Sequence, residues 1–304
     1  MYIYSGLENQ LKKKGIKKTN LTEILGISSR TIAKIKKGEK ISKTVIDKLC
    51  DYFSCDPASL YKEVSNNHIL QILRDEKDAK VSGGLYHELQ VKMTYNSNHM
   101  DGSKLTEDQT RLIFETNTLI GNNDGVLVDD IIETVHHFRA IDYVIDIAEK
   151  QLTEEIIKHL HYILKHDTKD SLLEWFNVGE YKSRPNVVGG RETTNPSEVE
   201  KEIMKLLSKY NSKIEMKIED VIAFHADFER IHPFQDGNGK VGRLIALKEC
   251  LHFNIVPFII EDYKKMYYYR GLSQWGKVNG YLVDTCLDGQ DTFKRLLRMF
   301  SIEY

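Results

Sequence analysis

The chain has 304 residues, 41% of them apolar and 29% charged, a globular composition that leaves room for two unequal domains and excludes a disordered polymer. No apolar run approaches the roughly 20 residues of a membrane-spanning helix and no apolar signal region opens the chain, so a cytoplasmic location without a membrane partner is expected. The net charge of −2 hides an asymmetry: residues 1–50 hold 12 Lys or Arg against 4 Asp or Glu, a net of +8, so the rest carries −10, the pattern of a small basic module joined to a larger acidic one.

From Leu7 to Leu60, apolar residues recur at helical spacing in short bursts separated by Gly15, Gly26-Ile27-Ser28 and Gly38, which predicts a bundle of four or five short helices. Within it, Leu21 to Gly38 reads as a helix, a glycine turn, a serine N-cap and a second helix carrying Arg30, Lys34, Lys36 and Lys37, the logic of a helix-turn-helix. The stretch resembles the Cro and phage-repressor type of DNA-binding domain. That resemblance implies that Ser28, Ser29, Arg30, Thr31 and Lys34 meet DNA, the first four opening the helix that enters the major groove. The competing reading is that the fold serves dimerisation or docking and its lysines are solvated surface.

Residues 66–80 read as a linker between a domain over 1–65 and a second over 81–304. Helical periodicity then covers Thr106 to Leu119, Val128 to Glu149, Glu154 to His166, Pro196 to Tyr210, Ile218 to Ile231 and Arg243 to Phe253. Between the third and fourth, Tyr181 to Asn195 combines paired β-branched residues with Gly189-Gly190, which favours a hairpin. The fold class expected is all-α, a helical bundle with a small β-hairpin flap, preceded by the small helix-turn-helix domain. Cys50, Cys55, Cys250 and Cys286 show no paired CxxC spacing, so they read as reduced thiols.

The most informative segment is Ile231-His-Pro-Phe-Gln-Asp-Gly-Asn-Gly-Lys-Val-Gly-Arg243, set between two amphipathic helices. A glycine-rich helix-to-helix loop turns backbone N–H groups inward, and the following helix adds its positive end, which together make an anion site. Lys240 and Arg243 lie three apart on that helix and can face a polyphosphate. Asp236 offers a hard oxygen for Mg²⁺, and His232 is suited to accepting a proton near neutral pH. A dinucleotide fingerprint is formally matched by Gly237 to Gly242, but a helix precedes it where that fold needs a strand. A P-loop is excluded because Val241 stands where Ser or Thr is required.

The segment resembles the Fic signature H-P-F-x-D/E-G-N-G-R/K-x-x-R, and the resemblance extends over about residues 81–302, since Gly179-Glu-Tyr-Lys182 and the hairpin look like the family's target-clamping flap. It implies a protein adenylyltransferase that moves AMP from ATP to a protein hydroxyl. His232 would be the catalytic base and Asp236 the Mg²⁺ ligand. Asn238, with the amides of Gly237 and Gly239, would steady the α-phosphate, Lys240 and Arg243 would hold the β- and γ-phosphates, and Phe234 would anchor the loop. Val187, Val188 and Gly190 would align the target strand. Lys240 departs from the commoner Arg, exchanging a bidentate fork for a point charge. Glycine at position 239 favours AMP transfer, because the phosphotransferring branch of the family carries Lys there.

Ser97-Asn-His-Met-Asp-Gly102 resembles the family's inhibitory motif S/T-x-x-x-E-G/N, with Asp101 in place of Glu. The resemblance implies a helix N-terminal to the catalytic core that bears Ser97, Asp101 and Gly102 and sets Asp101 against Arg243; the alternative is a helix end with Gly102 as its cap. ATP and Mg²⁺ are the expected co-substrate and cofactor. Expected partners are a target protein, DNA through residues 1–65, and a second copy of the chain as a candidate. Two other functions stay open: a nucleotide-sensing, DNA-binding transcriptional regulator with little turnover, and a Fic enzyme that transfers another phosphate-containing group.

Overall fold

The computed structural model describes residues 2–63, 67–120, 125–213 and 215–304. It divides into two compact units, residues 1–66 and 67–304, and the boundary expected near residue 65 lies outside the described residues. The expected all-α architecture with a hairpin flap holds.

The first unit contains α1 (Ser5–Lys14), α2 (Asn20–Leu25), α3 (Ser29–Lys36) and α4 (Lys43–Phe53). Leu7, Leu11, Leu21, Ile32, Ile35 and Leu49 meet in one core, which is where the short apolar bursts of the sequence converge. Gly26 closes α2 in the left-handed region at φ 64°, and the Ser28 side chain accepts a hydrogen bond from Thr31 N to start α3. Periodicity did not reveal a two-residue antiparallel pair, β1 (Tyr2–Ile3) with β2 (Lys62–Glu63), because elements this short carry no pattern of their own.

The second unit contains α5 (His68–Ala79), α6 (Leu85–Met100), α7 (Glu107–Thr116), α8 (Val128–Ile147), α9 (Glu154–Lys165), α10 (Val199–Asn211), α11 (Ile218–Ile231), α12 (Asn238–His252), α13 (Lys265–Ser273) and α14 (Gly280–Met299). Residues 68–79, expected to be linker, form α5 and bury Ile69, Leu70 and Leu73 in this unit's core. Helix starts follow capping chemistry. Thr106 and Gln109 form a reciprocal capping box on α7, and Thr153 caps α9 ahead of Glu154 and Glu155.

Two helices are wrapped by others. In α12, 13 of 15 residues are buried, and it packs against α6, α8, α9 and α11, so it is the central rod rather than an amphipathic surface helix. α6 buries polar residues together with apolar ones, including Gln90, Thr94, Asn96, Ser97 and Asn98. The hairpin pairs β3 (Val187–Val188) with β4 (Arg191–Glu192), Val188 facing Arg191. Its turn residues Gly189 and Gly190 both have positive φ, 56° and 77°, as a tight two-residue β-turn demands.

Candidate active site

The chemistry-bearing loop runs from the end of α11 to the start of α12. His232 closes α11 at φ 52°, a left-handed conformation that costs a non-glycine residue energy and is kept where the surroundings over-determine it. They do so here. Phe234 is fully buried and stacks on His161 with ring centroids 4.0 Å apart, while the His161 ring accepts a hydrogen bond from Gly179 N. Asn238 Oδ1 accepts from Phe234 N at 2.8 Å and its Nδ2 donates to Phe234 O at 2.9 Å, so one side chain closes the loop on itself. Burial, Lys182 and Arg191 push His232 down to about 4, against the opposing pull of Asp236, so the imidazole is neutral at physiological pH.

Around this loop lies a cavity of about 730 Å³. His232, Asp236, Gly237, Asn238, Gly239 and Arg243 form one wall, Val188, Gly189 and Arg191 of the hairpin another, and Tyr268, Tyr269 and Leu272 of α13 a third. The lining thus combines charged and polar groups with an aromatic and aliphatic surface. The first amides of α12 have no acceptor within the helix, which makes this wall favourable to anions. Gly239 faces the Arg243 guanidinium so closely that a Cβ would lie 2.9 Å from its NH1. Glycine here leaves room for the arginine.

Arg243 is almost wholly buried. Its Nε donates to Ser97 Oγ at 3.0 Å, and its NH2 donates to Ser97 O at 3.0 Å and to Asp101 Oδ2 at 3.1 Å. Burial alone would lower the guanidinium pKa, but Asp101, Tyr268 and Glu229 more than offset it and hold it up. The three residues of the proposed inhibitory motif therefore sit together at the end of α6, with Ser97 and Asp101 on Arg243 and Gly102 at φ 104°.

Asp236 has its Oδ2 2.7 Å from Lys165 Nζ, and its side chain is 61% exposed toward the cavity. Burial works to raise its pKa, but Lys165, the Gly237 amide and Lys240 outweigh it and keep it below the ordinary carboxylate range. An accessible, ionised carboxylate beside an anion-binding wall fits Mg²⁺, which commonly takes one or two protein carboxylates and completes its shell with water and phosphate oxygens.

Lys240 is placed differently from the other signature residues. It does not line the cavity. Its ammonium pairs with Glu133 of α8 and lies 4.0 Å from Asp101, while Glu133 also takes Lys165 at 2.7 Å. Lys165 and Glu133 form a buried ion-pair cluster behind the loop that the sequence reading missed, because residues 133, 165, 236 and 240 converge only in the tertiary structure. Glu229 was missed as well. It lines the cavity, its Oε1 has no hydrogen-bond partner among the described residues, and burial, opposed by Arg243 and reinforced by Asp101, raises it to about 7. A carboxylate one turn before His232 was visible in the sequence, though nothing marked it as buried.

Val187 and Val188 are exposed on the flap, and Gly190 belongs to its turn. In the first unit, Ser28, Ser29 and Arg30 are exposed, Thr31 and Lys34 half-buried, and all five lie on α3 or its cap.

Comparison with known proteins agrees with this geometry. Residues 151–250 match the Fic/DOC family, and residues 6–64 match the Cro/C1-type HTH DNA-binding domain. The chain carries a Cro/C1-type helix-turn-helix domain followed by a Fic/DOC-family domain. It is 27% identical over 190 residues to the Protein adenylyltransferase Fic of Nematostella vectensis, covering 59% of this chain and 42% of that one. With its namesake from Drosophila willistoni the identity is 27% over 186 residues, 59% of this chain and 35% of the relative. The chain thus spans less than half the length of these curated relatives. Among solved structures, a Fic domain containing signaling protein from Bacteroides thetaiotaomicron superimposes with a TM-score of 0.61 at 25% identity, over 78% of this chain and 95% of that one. Fic-1 of C. elegans shares the fold, with a TM-score of 0.61 at 17% identity over 77% of this chain and 72% of that one.

Proposed function

We propose that the second unit is a protein adenylyltransferase, transferring AMP from ATP to a hydroxyl of a target protein, and that it rests in an autoinhibited state. The observation that carries the reading is the convergence on one cavity of His232, Asp236, the α12 N-terminus and Arg243, with Arg243 held by Asp101. His232 takes the proton of the attacking hydroxyl. The new bond forms between that oxygen and the α-phosphorus, the bond to the β-bridging oxygen breaks, and pyrophosphate leaves with the electron pair. The backbone amides at the α12 N-terminus, those of Asn238 and Gly239 among them, stabilise charge on the α-phosphate while the Asn238 side chain holds the loop, and Arg243 receives the γ-phosphate once Asp101 yields it. Asp236 would hold Mg²⁺, which would supply neutralisation of the polyphosphate charge.

Lys240 supports this end from behind and meets phosphate directly only if it leaves Glu133. A target strand adds to the free edge of β3, where backbone pairing aligns it with little side-chain specificity. The first unit binds DNA through α3 and tethers the enzyme there.

The test is incorporation of label into protein from α-labelled or γ-labelled ATP, with Mg²⁺ and cell lysate, comparing wild type, Asp101→Gly and His232→Ala. α-Label that rises in Asp101→Gly and vanishes in His232→Ala supports the proposal. γ-Label alone means phosphate transfer. ATP binding without either label favours a nucleotide-sensing regulator.

A further inference from the structure

Lys182 lies in the stem of the flap, 3% exposed, with its backbone N–H on Pro233 O at 2.9 Å. Its ammonium donates to Asn186 Oδ1 at 2.9 Å and to Thr193 Oγ1 at 2.5 Å, both neutral acceptors. An ammonium has no lone pair, so it fixes the Asn186 amide with its oxygen toward Lys182. The Asn186 NH₂ is thereby turned toward Phe234 O at 3.2 Å and His232 Nδ1 at 3.0 Å.

Asn238 is fixed from the other side of the ring. Phe234 N–H can only donate, so it sets Asn238 Oδ1, and the Asn238 NH₂ then faces Phe234 O and His232 Nδ1, the latter at 3.1 Å. His232 Nδ1 is therefore met by two donors whose orientations are each locked independently. It must offer them its lone pair, which leaves the single proton of the neutral imidazole on Nε2.

We propose that Lys182 and Asn186 are positioning residues that, with Asn238 on the other side of the ring, hold His232 as the Nε2–H tautomer in the resting protein, keeping the base idle until both amides release Nδ1. A hydroxyl can give its proton only to a lone pair, and the one lone pair of this tautomer is already taken by amide hydrogens. Asn186 immediately precedes β3, so a strand docking on the flap acts on one of the two residues that hold the base. The ring is kept neutral first by burial, and the charged groups facing it are Lys182 from the flap stem and Arg191 from β4, which act in the same direction, and Asp236 from the loop, which opposes them. The functional consequence rests on reading His232 as the base, whereas the tautomer does not.

The experiment is long-range ¹H–¹⁵N NMR of the full chain labelled at histidine, without nucleotide, with the His232 signals identified by their loss in His232→Asn. The wild type is expected to show a pyridine-type Nδ1 and a pyrrole-type Nε2. Asn186→Asp replaces a donor by a charged acceptor of the same shape, which outweighs the neutral Asn238 donor and is expected to put a proton on Nδ1; Lys182→Met leaves the amide held only by Thr193 and Phe234 O and is expected to admit a minor Nδ1–H population. A protonated Nδ1 in the wild type, or a wild-type pattern retained in Asn186→Asp, overturns the proposal. Because the spectrum is read in the resting protein, an Nε2–H tautomer in a chain whose Asp101→Gly variant also transfers no label upholds the tautomer assignment and rejects only the catalytic reading.

Discussion

Removing the Asp101 carboxylate is expected to raise nucleotide transfer, and the structure bounds by how much. Asp101 contributes one charge-assisted hydrogen bond to Arg243, at 3.1 Å. At an effective dielectric of about 20 two unit charges at that distance attract by about 5 kcal/mol, but Asp101 is 28% exposed and water competes for it. The net value of such a bond is about 1.5–3 kcal/mol. If this pair is what denies Arg243 to the γ-phosphate, losing it shifts the equilibrium toward the open arrangement by roughly 10- to 150-fold. Ser97 keeps two hydrogen bonds on the same guanidinium, so Arg243 stays in place, and the stability lost should fall short of the roughly 3–5 kcal/mol for orphaning a buried charge. The assay is the rate of α-label transfer at saturating ATP in wild type, Asp101→Asn and Asp101→Gly, with ATP affinity and thermal midpoint measured alongside. Asp101→Asn keeps the shape and removes the charge, so it should recover most of the gain. Rates within about twofold of wild type in both variants, with ATP binding intact, would refute an inhibitory role for this contact.

His232→Ala should abolish transfer while the thermal midpoint stays near wild type. Because His232 is pushed down to about 4, its imidazole stays neutral as pH falls through 6.5, and activity in an Asp101→Gly background should show no acid limb there. An inflection near 6.5 would contradict the buried, cation-flanked setting. Lys165→Met should destabilise the protein by up to about 3 kcal/mol, since Glu133 retains Lys240 and Asp236 faces the cavity. Asp236 and Glu133 both titrate below their ordinary range in the folded protein. Their contribution is therefore complete above the unfolded-state values and lost as pH falls through the lowered ones. Lys165→Met removes part of that lowering, so it starts from lower stability at neutral pH and its acid unfolding should begin at higher pH than in wild type. In the first unit, Arg30→Ala and Lys34→Ala should each weaken DNA binding, and where the lost contact is to phosphate the salt-dependence slope should drop by about 0.9; unchanged affinity and slope in the double variant would remove α3 as the DNA-reading helix.

Features set by neighbours along the chain could be read from the residues alone. The loop from Ile231 to Arg243 has its spacing set along the chain, so the grouping of His232, Asp236 and the α12 N-terminus was legible before any tertiary contact was known. The Gly189-Gly190 turn, the Ser28 cap and the amphipathic periods of α9 and α11 were legible for the same reason, because each is fixed by residues within a few positions of one another.

Features that depend on packing between distant segments emerged only in the folded chain. Periodicity failed for α6, whose buried faces carry Asn, Ser and Thr alongside Leu and Met, and for the start of α12, which is buried nearly all round and shows no polar stripe. The placing of Asp101 against Arg243 was reached by resemblance alone and needed the fold to show a 3.1 Å contact. Lys240 illustrates the remaining gap: its position one turn into α12 suits a phosphate ligand, yet Glu133, 107 residues away in sequence, claims its charge. A buried cation goes to the nearest carboxylate that the packing supplies, and no reading along one chain segment contains that partner.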